Sequence, residues 1–173
     1  MNRPVLALIA TAVLGALGGC SGSTGGPTIN NKLNGSDQAP VAAATVSSVV
    51  SSDILAREPI ANTATVKHIL ISWHDLGESF GGRLDPRADK RSKADAEAEV
   101  RSLLKQLQDG ADFDSVMKAH SEDLGSAMSG RTFTVTPDAQ LVIEFRQLSL
   151  RLRPGEFGVC QSDFGFHIIK RFS

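Results

Sequence analysis

With 173 residues, 41% hydrophobic content and a net charge of −1, the chain has material for one ordinary domain plus extras. It carries no basic run and no basic patch interleaved with aromatics, so nothing argues for nucleic acid as a partner.

The first stretch is a targeting segment. Arg3 supplies a minimal positive start, and Val5 to Leu17 is apolar and small, broken only by Thr11 and Gly15. That core is too short to span a bilayer comfortably but suits a signal peptide over 1–19. It ends in Leu17-Gly18-Gly19-Cys20, which resembles a bacterial lipobox, where small residues precede a cysteine that receives diacylglycerol. The resemblance implies that Cys20 is lipidated and the mature chain is lipid-anchored in a bacterial cell envelope, facing the periplasm. Ser21 rather than Asp after the cysteine favours the outer membrane by the same resemblance. An ordinary cleaved signal with an incidental cysteine, or an uncleaved N-terminal anchor, are the competing readings. With Cys20 modified, Cys160 has no partner within the chain; it lies in an expected strand and reads as a small buried hydrophobe.

From 20 to 65 the composition turns to Gly, Ser, Asn and Pro without periodicity, the signature of a flexible tether. As a random coil, about forty residues reach roughly 35 Å on average. Val41 to Ile60 is more apolar, and Ser52-Asp53-Ile54-Leu55-Ala56-Arg57 could dock on the domain as a short helix or strand.

The folded domain is expected over 66–173. Val66 to Trp73 is a β-rich alternating run with His68 near its start. His74 to Arg91 is a long polar segment in which Arg83, Arg87, Lys90 and Arg91 balance Asp75, Glu78, Asp85 and Asp89, hence a solvated loop before an anion site. Ser92 reads as a helix N-cap, followed by one apolar stripe of Ala96, Val100, Leu103, Leu104 and Leu107, with Gly110 as the stop. Asp112 caps a short helix with Phe113, Val116 and Met117, and His120 to Gly130 reads as a small-residue loop. Arg131 to Val135 is a candidate strand, and Pro137-Asp138 open a helix that would put Leu141 and Phe145 on one face. Arg153-Pro154-Gly155 turns into a hairpin: Phe157 to Gln161, a turn at Asp163-Phe164-Gly165, and Phe166 to Phe172 with His167. Strand, helix, short helix, strand, helix, hairpin is an α+β order with a small antiparallel sheet. Two strands thus carry a lone histidine each amid apolar neighbours.

Several of these segments, in order, resemble a parvulin-type peptidyl-prolyl cis/trans isomerase. They are Val66-Lys67-His68-Ile69-Leu70-Ile71; Gly110-Ala111-Asp112-Phe113 followed by His120-Ser121-Glu122-Asp123-Leu124-Gly125-Ser126-Ala127; Leu152-Arg153-Pro154-Gly155-Glu156; and Phe164-Gly165-Phe166-His167-Ile168-Ile169-Lys170-Arg171. The resemblance implies a four-stranded antiparallel sheet flanked by about four helices, with both histidines on central strands. It assigns His68 and His167 as the paired histidines, Asp123 as the polar group near the imide and Ser162 as the hydroxyl orienting a histidine. Phe133, Leu141 and Phe145 would line the proline pocket. It implies no cofactor and no metal, and proline-containing segments of unfolded or exported proteins as partners. One segment departs: Gly130-Arg131-Thr132-Phe133-Thr134 stands where the family often reads Gly-Gly-Asp-Leu-Gly.

Two other chemistries use the same residues. Ser162, His167 and Asp123 could form a hydrolase triad, although no nucleophile elbow is present. His68, His167 and Asp123 could ligate a metal, although no ligand spacing supports it. A non-catalytic parvulin-fold chaperone or peptide-binding lipoprotein is the alternative outside enzymology, and a purely structural lipoprotein is a further one.

Overall fold

The computed structural model describes residues 46–173. The expected signal peptide, Cys20 and most of the tether lie outside the described residues. Among the described residues no helix is long and apolar enough to cross a membrane.

The strands are β1 (Ala64–Ile71), β2 (Phe133–Val135), β3 (Phe157–Ser162) and β4 (Gly165–Arg171). All pairings are antiparallel and the sheet order is β2-β1-β4-β3, so the two histidine strands lie side by side at its centre. The helices are α1 (Ser52–Leu55), α2 (Lys93–Gln108), α3 (Phe113–His120), α4 (Leu124–Ser129) and α5 (Ile143–Ser149). This is the α+β architecture expected.

Strand alternation divides the core in two. Ile69, Ile71, Val159, Phe166 and Ile168 point to one face and meet Val100, Leu103, Phe113 and Met117 from α2 and α3. Val66, Val135, Cys160 and Ile169 point to the other and meet Ile54, Phe145 and Leu148 from α1 and α5. Each large side chain buried this way contributes about 1.5–3 kcal/mol. Helix α2 begins as expected: the Ser92 hydroxyl accepts from the Asp95 amide while the Asp95 carboxylate accepts from the Ser92 amide, a reciprocal cap. The hairpin closes at Gly165, where φ is +128° and a Cβ would collide with the Ile71 carbonyl. Only glycine allows the two central strands to approach there.

Four expectations are corrected. The domain boundary at 65/66 falls inside β1, and the segment before it belongs to the fold. Ser51 donates its amide to the Val159 carbonyl (2.9 Å), while its hydroxyl accepts from the Val159 amide (3.0 Å), covering the β3 edge. Val49 enters one core and Ile54 the other. Second, His120 to Gly130 is not all loop: Asp123 caps α4 and Gly130, with φ +61°, ends it. Third, Pro137 does not open a helix. The Thr136 hydroxyl donates to Asp138 (2.6 Å), tight turns follow, and Val142 is extended before α5 begins. Leu141 therefore lies outside the helix that carries Phe145, and the two do not share a helical face. Fourth, the His74–Arg91 segment holds 3-10 turns at His74–Phe80 and Ala88–Lys90.

Candidate active site

The β1–β4 register sets Leu70 opposite His167 and His68 opposite Ile169. Directly opposed residues share a face, so His68 and His167 are diagonal neighbours on the α5 side. Their Nδ1 atoms are 3.2 Å apart. From there the contacts form one line: Ser162 Oγ to His167 Nε2 (2.8 Å), His167 Nδ1 to His68 Nδ1, and His68 Nε2 to Asp123 Oδ2 (2.9 Å).

One proton arrangement satisfies every group in this line. Ser162 donates to His167 Nε2 and accepts from the Phe164 amide (3.1 Å). His167 donates through Nδ1 to His68, and His68 donates through Nε2 to the Asp123 carboxylate. Burial, with the adjacent His68 ring, pushes the His167 imidazole down to about 3, so it is neutral at ordinary pH. The hydrogen bond from His68 holds the Asp123 carboxyl well below the usual carboxylate range, against the opposing effect of burial, and Ser126 helps through its hydroxyl and amide. The imidazole pair thus ends on a carboxylate.

Aromatic rings pack across this line. Phe145 meets His68 and His167 edge to face, with centroids 5.2 and 5.6 Å away, and Phe133 meets His68 at 5.3 Å and Phe145 at 5.8 Å. Phe145 is only 3% exposed and forms a floor. Phe133 and Leu141 are partly buried and offer accessible wall. Arg131 lies over the Phe133 ring at 4.9 Å. The departing segment therefore keeps a left-handed Gly130 and still delivers an apolar side chain against His68.

The structure brings together His68, His167, Asp123, Ser162, Phe133 and Phe145, with Leu141 beside Phe145's cluster from a separate turn. A Ser–His–Asp triad is not formed, because two imidazoles stand between Ser162 and Asp123. Nor do the proposed metal ligands converge: each His68 nitrogen serves a different neighbour. Burial pushes the Cys160 thiol above its ordinary range, consistent with a core residue.

Sequence reading missed Ser126, whose amide and hydroxyl donate to the Asp123 carboxylate that caps α4; the Asp-x-x-Ser spacing followed by Gly130 was the available signal. It also missed what holds Asp123 from behind. Glu122 has a side chain only 1% exposed and pairs with Arg91 at 2.7 Å. In the polar loop, Arg87 is tied to Asp85 and to the carbonyls of Ala119, His120 and Ser121.

A two-histidine line closed by a carboxylate and walled by aromatics, on the central strands of a β2-β1-β4-β3 sheet, defines the class. Residues 52–172 match the family model of the PPIC-type PPIase domain, and the chain belongs to that family, as the resemblance implied. Among relatives, it is 30% identical over 115 residues to the Chaperone SurA of Saccharophagus degradans, covering 66% of this chain and 24% of that protein. It is 27% identical over 108 residues to the Foldase protein PrsA of Geobacillus kaustophilus, covering 62% of this chain and 38% of that one. The chain thus corresponds to a minor part of these relatives. Among solved structures, TbPIN1 superposes with a TM-score of 0.56 at 20% identity, over 66% of this chain and 100% of that one. Peptidyl-prolyl isomerase ESS1 from Candida albicans gives 0.55 at 16% identity, over 65% and 63%. Both show the same fold.

Proposed function

We propose that this chain is a lipid-anchored prolyl isomerase of a bacterial envelope, acting on proline-containing segments of exported proteins. The observation that carries the reading is the juxtaposition of an apolar, aromatic-floored surface with a polar line in which each histidine has a partner at both ring nitrogens. Rotation about an X–Pro bond crosses a barrier of about 18–20 kcal/mol set by amide resonance. Resonance separates charge, so water favours the planar ground state over the twisted form. Phe133, Leu141 and Phe145 provide a surface that excludes water from the proline ring without offering competing donors. Complementarity to the twisted imide then accelerates rotation, and about 6 kcal/mol of it would correspond to roughly 10⁴-fold.

The histidines act by shape. Their edge-to-face contacts hold Phe145, and their line delivers the Asp123 carboxylate beside the imide, where it tunes the local field. No bond to substrate is made or broken, and no cofactor is required. The lipobox at Leu17 to Cys20 supports anchoring, and Ser21 supports the outer membrane.

The test is a proline-peptide isomerisation assay with the full-length chain in detergent, on Ala-Pro substrates. Acceleration reduced about tenfold by Phe133→Ala is expected. Tight peptide binding without any acceleration would identify a binding module instead.

A further inference from the structure

We infer that the buried Arg91–Glu122 ion pair is a positioning device for Asp123, acting through the Ser121–Asp123 backbone. The inference rests on the isomerase site proposed above.

Beyond the three residues of β1 that pair with β2, the same edge of the sheet continues without a strand partner. The segment preceding α4 takes that place. Leu70 donates its amide to Ser121 Oγ (3.1 Å), and the Glu122 amide donates to the Leu70 carbonyl (2.9 Å). One step further, the Ser72 amide donates to Glu122 Oε2 (2.6 Å), and Arg91 Nη1 donates both to the Ser72 carbonyl (2.9 Å) and to Glu122 Oε1 (2.7 Å). Side chains here do the work of a ladder: Glu122 and Arg91 together saturate the backbone of Ser72. The other arm of Arg91 is held by Glu99 of α2 at 2.8 Å. Arg87, gripping three successive carbonyls from Ala119 to Ser121, braces the same segment from outside.

The next residue along this fixed segment is Asp123, and its carboxylate must meet His68 Nε2 from the same strand edge. Stability alone is a weak reason for such a pair, since apolar replacements of buried ion pairs are often neutral or stabilising. Direction is a better one. A carboxylate with two engaged oxygens and a forked guanidinium fix the segment in register and rotation, as an apolar contact does not.

The experiment compares wild type, Glu122→Gln, Asp123→Asn and the double variant in the full-length chain in detergent. Turnover on an Ala-Pro peptide is read beside the 15N signals of the imidazoles, of which the sequence has four. Glu122→Gln is expected to lower kcat/KM about fivefold alone and less than about twofold in the Asp123→Asn background, because both act on one contact. The His68 Nε2 signal should move toward its position in Asp123→Asn. Equal loss in both backgrounds, or an unmoved His68 signal in the folded variant, would overturn the inference. If Glu122→Gln does not fold, Arg91→Lys, which keeps the charge but loses the fork, is read by the same two criteria. If the wild type fails to accelerate isomerisation, the functional reading falls, and the His68 signal still decides the positioning.

Discussion

His167 is the residue whose protonation most directly tests the site. Its folded value, about 3, lies below the ordinary imidazole value, so between the two the unfolded chain binds more protons. Stability is therefore full at neutral pH and declines as pH falls below about 6.5, by up to about 1.4 kcal/mol per unit. Asp123, also lowered, subtracts in the same direction once pH falls through the ordinary carboxylate range. Thermal melts from pH 8 to pH 4 should show this decline, and His167→Asn should flatten it; a decline of equal slope in the variant would refute the assignment. The two phenylalanines separate pocket from core. Phe145, almost wholly buried, should lose about 3–5 kcal/mol of stability on truncation to Ala as well as about 10²-fold in kcat/KM. Phe133 is only partly buried, so Phe133→Ala should lose about tenfold in kcat/KM with a melting change of only a few degrees. Melting and turnover measured on both variants check the contrast.

At the scale of elements, the segment before β1 behaves as part of the fold. Ser51 closes the β3 edge, Ile54 fills a core, and Arg57 forms two bonds to Glu156 at 2.9 and 2.7 Å. Ile54→Ala should cost about 2–5 kcal/mol in denaturant unfolding while leaving kcat/KM within about twofold, since among the described residues the segment makes no hydrogen bond to the Ser162–His167–His68–Asp123 line and reaches the site only through the shared apolar core. A loss of turnover in the folded variant would mean that this edge communicates with the site. The polar loop makes a different prediction. Arg87 and Arg91, the basic residues nearest the Asp123 segment, are already committed to carboxylates and carbonyls. Peptides with Glu-Pro, phosphoserine-Pro and Ala-Pro should therefore isomerise at rates within about tenfold of each other. A hundredfold preference for the phosphopeptide, removed by Arg83→Ala, would show that the loop is an anion site.

For the whole molecule, the anchor is the testable claim. Cys20→Ser should abolish incorporation of radiolabelled fatty acid and release the chain from membranes; equal labelling of both chains would end the lipoprotein reading. Attachment should be strong, because a diacylglyceryl group inserts two acyl chains and stable anchoring needs two signals.

Local chemistry made much of this legible in advance. Alternating strands 66–73 and 166–172, the Ser92 cap with its apolar stripe, and the hairpin turn before Phe166 depend on neighbours in sequence, so composition and spacing report them. His68 and His167 stood out for the same reason, as lone polar groups in apolar runs. What sequence could not determine was how distant segments satisfy one another. The turn at Thr136–Leu141 won over a helix because Asp138 is taken by a neighbouring hydroxyl, and the residues before 66 joined the fold because an open β3 edge needs a partner. Ser126, Glu122 and Arg91 looked like ordinary loop and surface residues. They acquire roles only when Ser121 and Glu122 are laid along β1, since a backbone edge left unpaired in the interior must find donors and acceptors wherever the fold brings them.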